Sequence, residues 1–392
     1  MELRDTPEEA AFRERASGWL REHREHAPRI DDIPSEAQVE QWRAWSRMLF
    51  DAGFVGVTWP AAYGGQGLPH AYQAIWLQEI ARAGVPDHLG LIGLGMAGPT
   101  IIAWGSEEQK RRFLPPLLRC EEIWCQGFSE PDSGSDLASA RTRAVLDGDA
   151  WVVNGQKVWS SFAHLAQWCI LVVRTDREAP KHAGLSYLLL DMTSPGVEVA
   201  PLPQLTGDPE FNEIFLTDVR VPRDSMLGRP GDGWKVAMTT LSHERGTHGI
   251  GLAAHLDAEL RAAVALCSRE QPDGTRPADD PLVRDRLAEL WIELQGLRMT
   301  NLRALSVLAQ TGVPGPGSTI AKLHWSELNQ RLTRFVTETL GPAGTVQGPE
   351  AVDRGHWSFA RLRARGNTIE AGTSEILRNI VAERVLGLPR AR

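Results

Sequence analysis

The chain changes character at one ten-residue stretch, Gly127-Phe128-Ser129-Glu130-Pro131-Asp132-Ser133-Gly134-Ser135-Asp136. Upstream of it the apolar residues repeat at helical spacing, and downstream they alternate as they do in strands. Glycine, hydroxyl and proline residues of this kind are typical of an ordinary interdomain loop. The same residues can bring backbone N–H groups and hydroxyls close to a phosphate or a polarised ring. This stretch is therefore where we look for a cofactor.

Composition sets broad limits on the function. The chain has 392 residues, which predicts two or three domains, and its 42% hydrophobic content argues against disorder. The net charge of −8 disfavours nucleic-acid binding. Four cysteines without metal-ligand spacing predict no metal site and fit a reducing compartment. Neither a signal-peptide pattern nor a membrane-spanning apolar run is present in the sequence, so we expect a cytoplasmic protein without membrane insertion.

The apolar periodicity predicts the order α, β, α. Trp42, Trp45 and Leu49 fall on one face of an early helix, and residues 282–308 and 320–340 each support a long amphipathic helix near the end. A helical bundle is expected there. The predicted domains are a helical domain at 1–124, a β domain at 125–233 and a helical bundle at 234–392.

Local signals sharpen two of these elements. Ser106 and Gln109 resemble a capping box at a helix start. Asn154-Gly155 lies between two alternating runs, and both residues tolerate positive φ, so the pattern predicts a β-hairpin with its turn at this dipeptide.

Three segments, in this order, resemble the signatures of the acyl-CoA dehydrogenase family. They are residues 127–136, residues 154–161 (Asn-Gly-Gln-Lys-Val-Trp-Ser-Ser) and residues 372–378 (Gly-Thr-Ser-Glu-Ile-Leu-Arg). The resemblance covers nearly the whole chain. It implies a mainly α fold with a β middle domain: an N-terminal α-helical domain, a small β-barrel or sandwich domain and a C-terminal four-helix bundle.

The resemblance also implies an activity. A member of this family uses FAD to oxidise the Cα–Cβ bond of an acyl thioester, either acyl-CoA or an acyl-carrier thioester, to the trans-2-enoyl product. A Glu removes the α-proton, the β-hydride passes to flavin N5, and an electron-transfer flavoprotein takes the electrons. A homo-oligomer, dimer or tetramer, is the default for an enzyme of lipid metabolism of this kind, and a hetero-oligomer is the alternative.

The family's cofactor contacts transfer to matching positions of this sequence. The Phe128 backbone and the Ser129 hydroxyl would contact the flavin ring. Ser135 would contact the pyrophosphate and is also expected to contact the substrate. Trp159 would form an apolar wall for the ring and Ser161 a donor on its N5 side. Thr373 and Glu375 open the carboxy-terminal cofactor segment. Arg269 would contribute across a subunit interface, although the residues around it, and those at 338–344, depart from the family pattern and leave a partner subunit possible.

The catalytic base is where the sequence departs most from the family. The commonest position for the base, immediately before Gly-Thr-Ser, holds Ala371, which cannot accept a proton. Glu244 matches the position used by a minority of the family, including isovaleryl-CoA dehydrogenase, and is the expected base. Glu370 is the alternative, although a one-residue shift usually redirects a side chain. Arg245 and the Ala371 backbone N–H are expected near substrate.

Three rival readings remain open. The first is an oxidase or flavin monooxygenase of the same fold, in which reduced flavin meets O₂. The second is a non-catalytic subunit that completes the active site of a partner. The third is a hydrolase built from Ser160, His243 and Asp136, which the absence of a Gly-x-Ser-x-Gly motif in the sequence disfavours.

Overall fold

A computed structural model of the protein describes residues 4–29, 37–244, 248–271, 274–312, 315 and 317–390. Its α-helices are α1 (Pro7–His23), α2 (Val39–Asp51), α3 (His70–Ala83), α4 (Gly98–Trp104), α5 (Glu107–Leu118), α6 (Gly233–Glu244), α7 (His248–Cys267), α8 (Pro281–Thr311), α9 (Gly317–Leu340), α10 (His356–Asn367) and α11 (Ser374–Ile380). Its strands are β1 (Trp124–Gly127), β2 (Arg143–Asp147), β3 (Ala150–Ser161), β4 (Trp168–Arg174), β5 (Leu185–Asp191), β6 (Val197–Leu202), β7 (Phe211–Pro222) and β8 (Met226–Leu227). The predicted mainly helical fold with a β middle region is confirmed.

The chain forms two compact units. The helical unit consists of the described parts of 1–21, 70–84 and 245–392, and the mixed unit consists of those of 22–69 and 85–244. The three domains predicted from sequence divide the chain differently and stay a prediction.

The mixed unit is built around one sheet with the strand order β6-β7-β3-β2-β4-β5-β8, and β1 pairs in parallel with β4. Strand β3 is antiparallel to both β2 and β7, and β5 is antiparallel to both β4 and β8. Strands β4 and β5 are buried at nearly every position, as expected of strands covered on both faces. The position of β1 at the edge of β4 places the loop that follows it beside the sheet.

The predicted hairpin turn at Asn154-Gly155 is wrong. Both residues lie inside β3, which is one continuous strand, and the two-residue turn is Gly148-Asp149, where Gly148 has φ +62°. Asn154-Gly155 instead marks a register shift against β7. Asn154 and Asp218 exchange hydrogen bonds of 3.0 Å across it, from Asn154 Nδ2 to Asp218 Oδ1 and from Asp218 N to Asn154 Oδ1. A Cβ at Gly155 would lie 2.4 Å from Thr142 Oγ1, so this position selects glycine for a close approach. The dipeptide alone therefore does not distinguish a bulge from a turn.

The helical unit is held by an apolar core among α7, α8 and α9, to which Trp357 of α10 adds its buried indole. Helices α1 and α3 belong to the same unit and are joined by the Glu79 carboxylate. Arg13 Nη1 donates to it at 2.6 Å and Arg82 Nη1 at 2.5 Å. Helices α8 and α9 confirm the two long helices that the periodicity predicted.

The capping box at the start of α5 is confirmed. Ser106 Oγ accepts from Gln109 N at 3.1 Å, and Gln109 Oε1 accepts from Ser106 N at 2.9 Å. Two of the free N–H groups at the helix start are therefore satisfied locally. In the part of the chain that the structure describes, no helix combines the length and the apolar character that crossing a membrane requires.

Gly98 is a site where the fold requires glycine. A Cβ there would lie 2.0 Å from Cη2 of Trp59, whose indole is buried. Gly98→Ala should therefore destabilise the protein by about 1–3 kcal/mol, the usual cost of overpacking. Gly95→Ala is the matched control, because a Cβ at Gly95 meets nothing within 4 Å. Urea unfolding of the two variants tests this: equal midpoints would show that Trp59 can move aside.

Candidate active site

The loop after β1 begins at Phe128 and contains a tight turn. Glu130 and Ser133 exchange backbone hydrogen bonds there, with Glu130 N to Ser133 O at 2.9 Å and Ser133 N to Glu130 O at 3.0 Å. The Phe128 ring is buried and packs edge-on against Tyr187, with ring centroids 5.8 Å apart. Because the Phe128 side chain is packed in the core, only the main chain of this residue can contact a cofactor. Ser135 lies at the exposed end of the loop.

Strand β3 presents the Trp159 indole to the surface. Trp159 is 58% exposed, and its φ of +61° lies in the left-handed region. A non-glycine residue in that region costs on the order of 1–3 kcal/mol and is a frequent mark of a functional site. The pairing with β7 shifts register between Lys157 and Ser160, so a bulge sits at the indole. The ring touches Phe211 edge-on at 5.8 Å, which leaves it a flat apolar surface.

One backbone hydrogen bond joins the first two sequence motifs. Val158 N donates to Ser129 O at 2.9 Å, one residue before Trp159. Ser161 lies two residues further along and pairs with Phe211 of β7. Ser129, Trp159 and Ser161 therefore lie in one region of the mixed unit, as a shared ligand site requires.

The Glu130 carboxylate is buried behind this region and fully engaged. It accepts from Lys157 Nζ at 2.9 Å, from Arg141 N at 2.7 Å and from Thr142 N at 2.8 Å. Burial by itself would raise the pKa of this carboxyl. The charge and hydrogen bond of Lys157, with the backbone donors, outweigh burial and hold the pKa of Glu130 below its usual value. Burial also lowers the pKa of Lys157, against the opposing effect of Glu130.

The carboxy-terminal motif lies in the helical unit, at the start of α11. Thr373 is the N-cap, and its Oγ1 accepts from Ile376 N at 3.2 Å. The next hydroxyl, on Ser374, is buried and has no hydrogen-bond partner among the residues that the structure describes. Hydrogen bonds from its own N–H and from the Thr373 hydroxyl hold the pKa of the exposed Glu375 carboxyl below its usual value. Such a hydroxyl can complete its hydrogen bonding with a bound ligand.

Glu370 is bound by its own unit. Arg363 Nη2 lies 2.9 Å from Glu370 Oε2, and Asn367 Nδ2 donates to Glu370 Oε1 at 2.7 Å. The carboxylate is about one-third exposed. Both oxygens of the Glu370 carboxylate are thus engaged by neighbouring side chains of the helical unit.

The turn between Glu370 and α11 is held by a buried lysine. Ala371 has φ +52° and Gly372 has φ +97°, so two successive residues are left-handed. Lys322 Nζ donates to the carbonyls of Asn367 and Gly372, both at 2.8 Å, and the Lys322 side chain is buried. The orientation of the main chain at Ala371 is thus set from α9.

Of the other predicted site residues, Arg269 has a partner within its own unit, and Glu244 and Arg245 are described incompletely or not at all. Arg269 forms an ion pair of 2.7 Å with Asp353, which also accepts from Trp357 Nε1 at 3.0 Å. Its guanidinium is therefore engaged within the helical unit. Glu244 is the last residue of α6, but its side chain lies outside the described structure, and Arg245 lies outside the described residues altogether.

The contacts of Ser160 and Asp136 do not support the hydrolase hypothesis. The Ser160 hydroxyl is completely buried and makes no hydrogen bond to any described residue, so His243 does not activate it. The Asp136 carboxylate is engaged by Ser139 and Lys181. No group of His, Cys, Asp and Glu within the described ranges is arranged to hold a metal ion.

Sequence reasoning gave no role to Glu130, Lys157 or Lys322. Glu130 and Lys157 stand inside the quoted motifs, and the signal available for Lys157 was a charged residue within a strand whose other residues are uncharged. Lys322 stands in an amphipathic helix, where a buried lysine cannot be told from a solvated one.

Three family profiles together match most of the chain. "Acyl-CoA dehydrogenase, N-terminal domain" matches residues 6–121, "Acyl-CoA dehydrogenase, middle domain" matches 125–219, and "Acyl-CoA dehydrogenase, C-terminal domain" matches 231–386. The chain belongs to the acyl-CoA dehydrogenase family, and the predicted family and enzyme class are confirmed. It is an oxidoreductase of a flavoprotein family.

Individual relatives agree with this. The chain is 45% identical over 352 residues to acyl-CoA dehydrogenase IpdE1 of Mycobacterium tuberculosis, covering 90% of this chain and 89% of the relative. The fold matches the ChsE4-ChsE5 complex from Mycobacterium tuberculosis with a TM-score of 0.85 and 31% identity, covering 100% of both chains. It also matches the Tcur3481-Tcur3483 steroid ACAD with a TM-score of 0.85 and 30% identity, again covering 100% of both chains.

The Glu130 carboxylate should make stability depend on pH. Its folded-state pKa lies below its unfolded value, so its contribution is complete above about pH 4.5 and is lost as the pH falls further. Glu130→Gln lacks this titration. The difference in melting temperature between wild type and Glu130→Gln should therefore shrink from about pH 6 to about pH 4. A difference that is the same at both pH values contradicts the ionised, lysine-paired state of Glu130.

Proposed function

We propose that this protein oxidises the Cα–Cβ bond of an acyl thioester, bound as acyl-CoA or as an acyl-carrier thioester, to the trans-2-enoyl thioester with FAD. The observation that carries the proposal is the joining of Ser129 to Val158, beside the exposed and strained Trp159. The motif residues that the family uses for a flavin ring thus lie in one region. The apolar face there is the Trp159 indole, whose exposure comes with a left-handed backbone conformation.

The residues present fit FAD. The main chain of Phe128 and the hydroxyl of Ser129 would meet the pyrimidine side of the ring, where donors stabilise negative charge. Trp159 would cover the ring and Ser161 would donate on the N5 side, while Ser135, Thr373 and Glu375 would serve the rest of the cofactor. The unpartnered Ser374 hydroxyl supports a ligand at the carboxy-terminal motif. Arg269 would have to exchange Asp353 for the cofactor.

FAD, when bound, supplies the acceptor for the hydride that leaves Cβ. The protein itself must remove the α-proton and polarise the thioester carbonyl. The Ala371 N–H is the proposed donor to that carbonyl, and Lys322 supports it by holding the Gly372 and Asn367 carbonyls. A donor fixed in advance loses little energy to reorganisation when negative charge develops on the carbonyl oxygen.

Glu244 is the proposed base. Ala371 has no proton acceptor, and Glu370 is bound by Arg363 and Asn367. That leaves the carboxylate at the end of α6, in the position that a minority of the family uses. Arg245, next in the chain, is proposed to lie near the substrate.

Paired substitutions separate the two carboxylates. Glu244→Gln should leave FAD bound and slow anaerobic flavin bleaching by acyl-CoA by about 10²–10⁴-fold, since an essential proton acceptor is lost. Glu370→Gln is the matched control and should keep most of the bleaching rate, with some loss of stability from the unpaired Arg363. Stopped-flow absorbance measures both. The reverse pattern assigns the base to Glu370, and two fast variants contradict proton removal by either residue.

Oxygen reactivity distinguishes a dehydrogenase from an oxidase or monooxygenase of the same fold. We expect the substrate-reduced protein to be reoxidised slowly by O₂ and quickly by an electron-transfer flavoprotein. Stopped-flow reoxidation with each acceptor measures this. Fast reaction with O₂ and none with the flavoprotein overturns the dehydrogenase assignment.

Assembly and substrate class follow as further parts of the proposal. We propose an oligomer, with a homo-oligomer as the default. The likeness to the ChsE4-ChsE5 complex keeps a hetero-oligomer, in which a partner completes the site, as the alternative. The likeness to a steroid ACAD and the position of Glu244 favour a bulky acyl group.

A further inference from the structure

Lys157 is a fully buried cation with two bound partners. Its side chain is 0% exposed, and Nζ donates to Phe128 O at 3.1 Å and to Glu130 Oε1 at 2.9 Å. Strand β3 thereby holds the loop after β1 through a charged side chain as well as through its backbone. Both contacts lie outside the backbone pairing of the sheet.

Stability is a weak reason to bury this pair. Taking two charges out of water costs several kcal/mol for each ion, and an apolar pair of similar volume is often as stable or more so. Glu130 repays part of that cost by accepting from Arg141 N and Thr142 N. The pair is better explained by the particular main-chain arrangement that it enforces.

That arrangement concerns the peptide between Phe128 and Ser129. A trans peptide is planar, so its C=O and N–H point in opposite directions. Because Lys157 holds the Phe128 carbonyl, the Ser129 N–H points away from Lys157 and from the interior around it. The next carbonyl, that of Ser129, is held by Val158 N at 2.9 Å. Two consecutive residues of β3 thus fix the peptide groups on both sides of Ser129.

We propose that Lys157, supported by Glu130, is a positioning residue for the flavin, which holds the Phe128–Ser129 peptide so that the Ser129 N–H and hydroxyl are presented to the ring. The inference rests on the proposed function, since it needs Ser129 at the flavin. Fixed donors at the ring favour the reduced state, which carries more negative charge. Lys157 therefore acts on FAD affinity and on the flavin midpoint potential without touching substrate.

The first test replaces the cation. Lys157→Met should weaken FAD binding by about tenfold to a hundredfold, the usual effect of losing a buried charge-assisted hydrogen bond, and should shift the midpoint potential of the bound flavin to a more negative value. Arg220→Met is the matched control: it removes the exposed ion pair of Arg220 with Asp147 in the same unit and should change neither quantity. FAD titration and anaerobic redox titration provide the readouts.

A double variant separates positioning from stability. Lys157→Met with Glu130→Gln leaves no unpaired charge buried and keeps an acceptor oxygen near the Arg141 and Thr142 N–H groups, so its melting temperature should recover toward wild type. If Lys157 positions the peptide, FAD affinity and midpoint potential do not recover, because the Phe128 carbonyl still lacks its donor. Recovery of all three quantities together overturns the proposal in favour of a structural role. This variant also provides the test if Lys157→Met alone does not fold.

The outcome is distinguishable from failure of the proposed function. A wild-type protein that binds no flavin removes the proposed function and the inference together. A wild-type protein that binds FAD, with affinity and potential unchanged in a folded Lys157→Met variant, removes the inference alone.

Discussion

The bulge in strand β3 between Lys157 and Ser160 is the constraint on which the candidate site in the mixed unit depends. In a regular strand Lys157 and Trp159 would share one face, because side chains alternate with a period of two. The register shift and the left-handed backbone at Trp159 instead leave the Lys157 ammonium buried and the indole exposed. Strand β3 therefore holds the loop after β1 through the buried Lys157 and presents the Trp159 indole on its exposed side.

Much of the fold was predictable because long periodic segments average over many residues. Helices α8 and α9 and the cap of α5 follow from spacing and local hydrogen bonding alone. The predicted hairpin at Asn154-Gly155 failed for a physical reason: the bulge selects glycine at 155 because a Cβ there would lie 2.4 Å from Thr142 Oγ1, and only the strand partner distinguishes this from a turn glycine. That partner, β7, lies more than fifty residues away in the chain.

The candidate site was predictable as far as the motifs reached. They predicted Ser129, Trp159 and Thr373 as site residues, but not the contacts that hold these residues in place. Lys157, Glu130 and Lys322 act through partners that only the folded chain brings together. The same holds for Glu370, which by sequence competes with Glu244 and in the structure is occupied by Arg363 and Asn367. A base must be free to accept a proton, and that freedom depends on tertiary contacts.

Anaerobic titration of the purified protein with acyl-CoA thioesters is the measurement that tests the central claim most directly. The panel should include straight-chain, branched and ring-bearing acyl groups. The account predicts a yellow protein whose oxidised-flavin absorption disappears with at least one member of the panel, with the trans-2-enoyl thioester formed in equal amount. A protein that is colourless after incubation with FAD and removal of the unbound cofactor contradicts it, as does a flavin that is reduced without formation of an enoyl product.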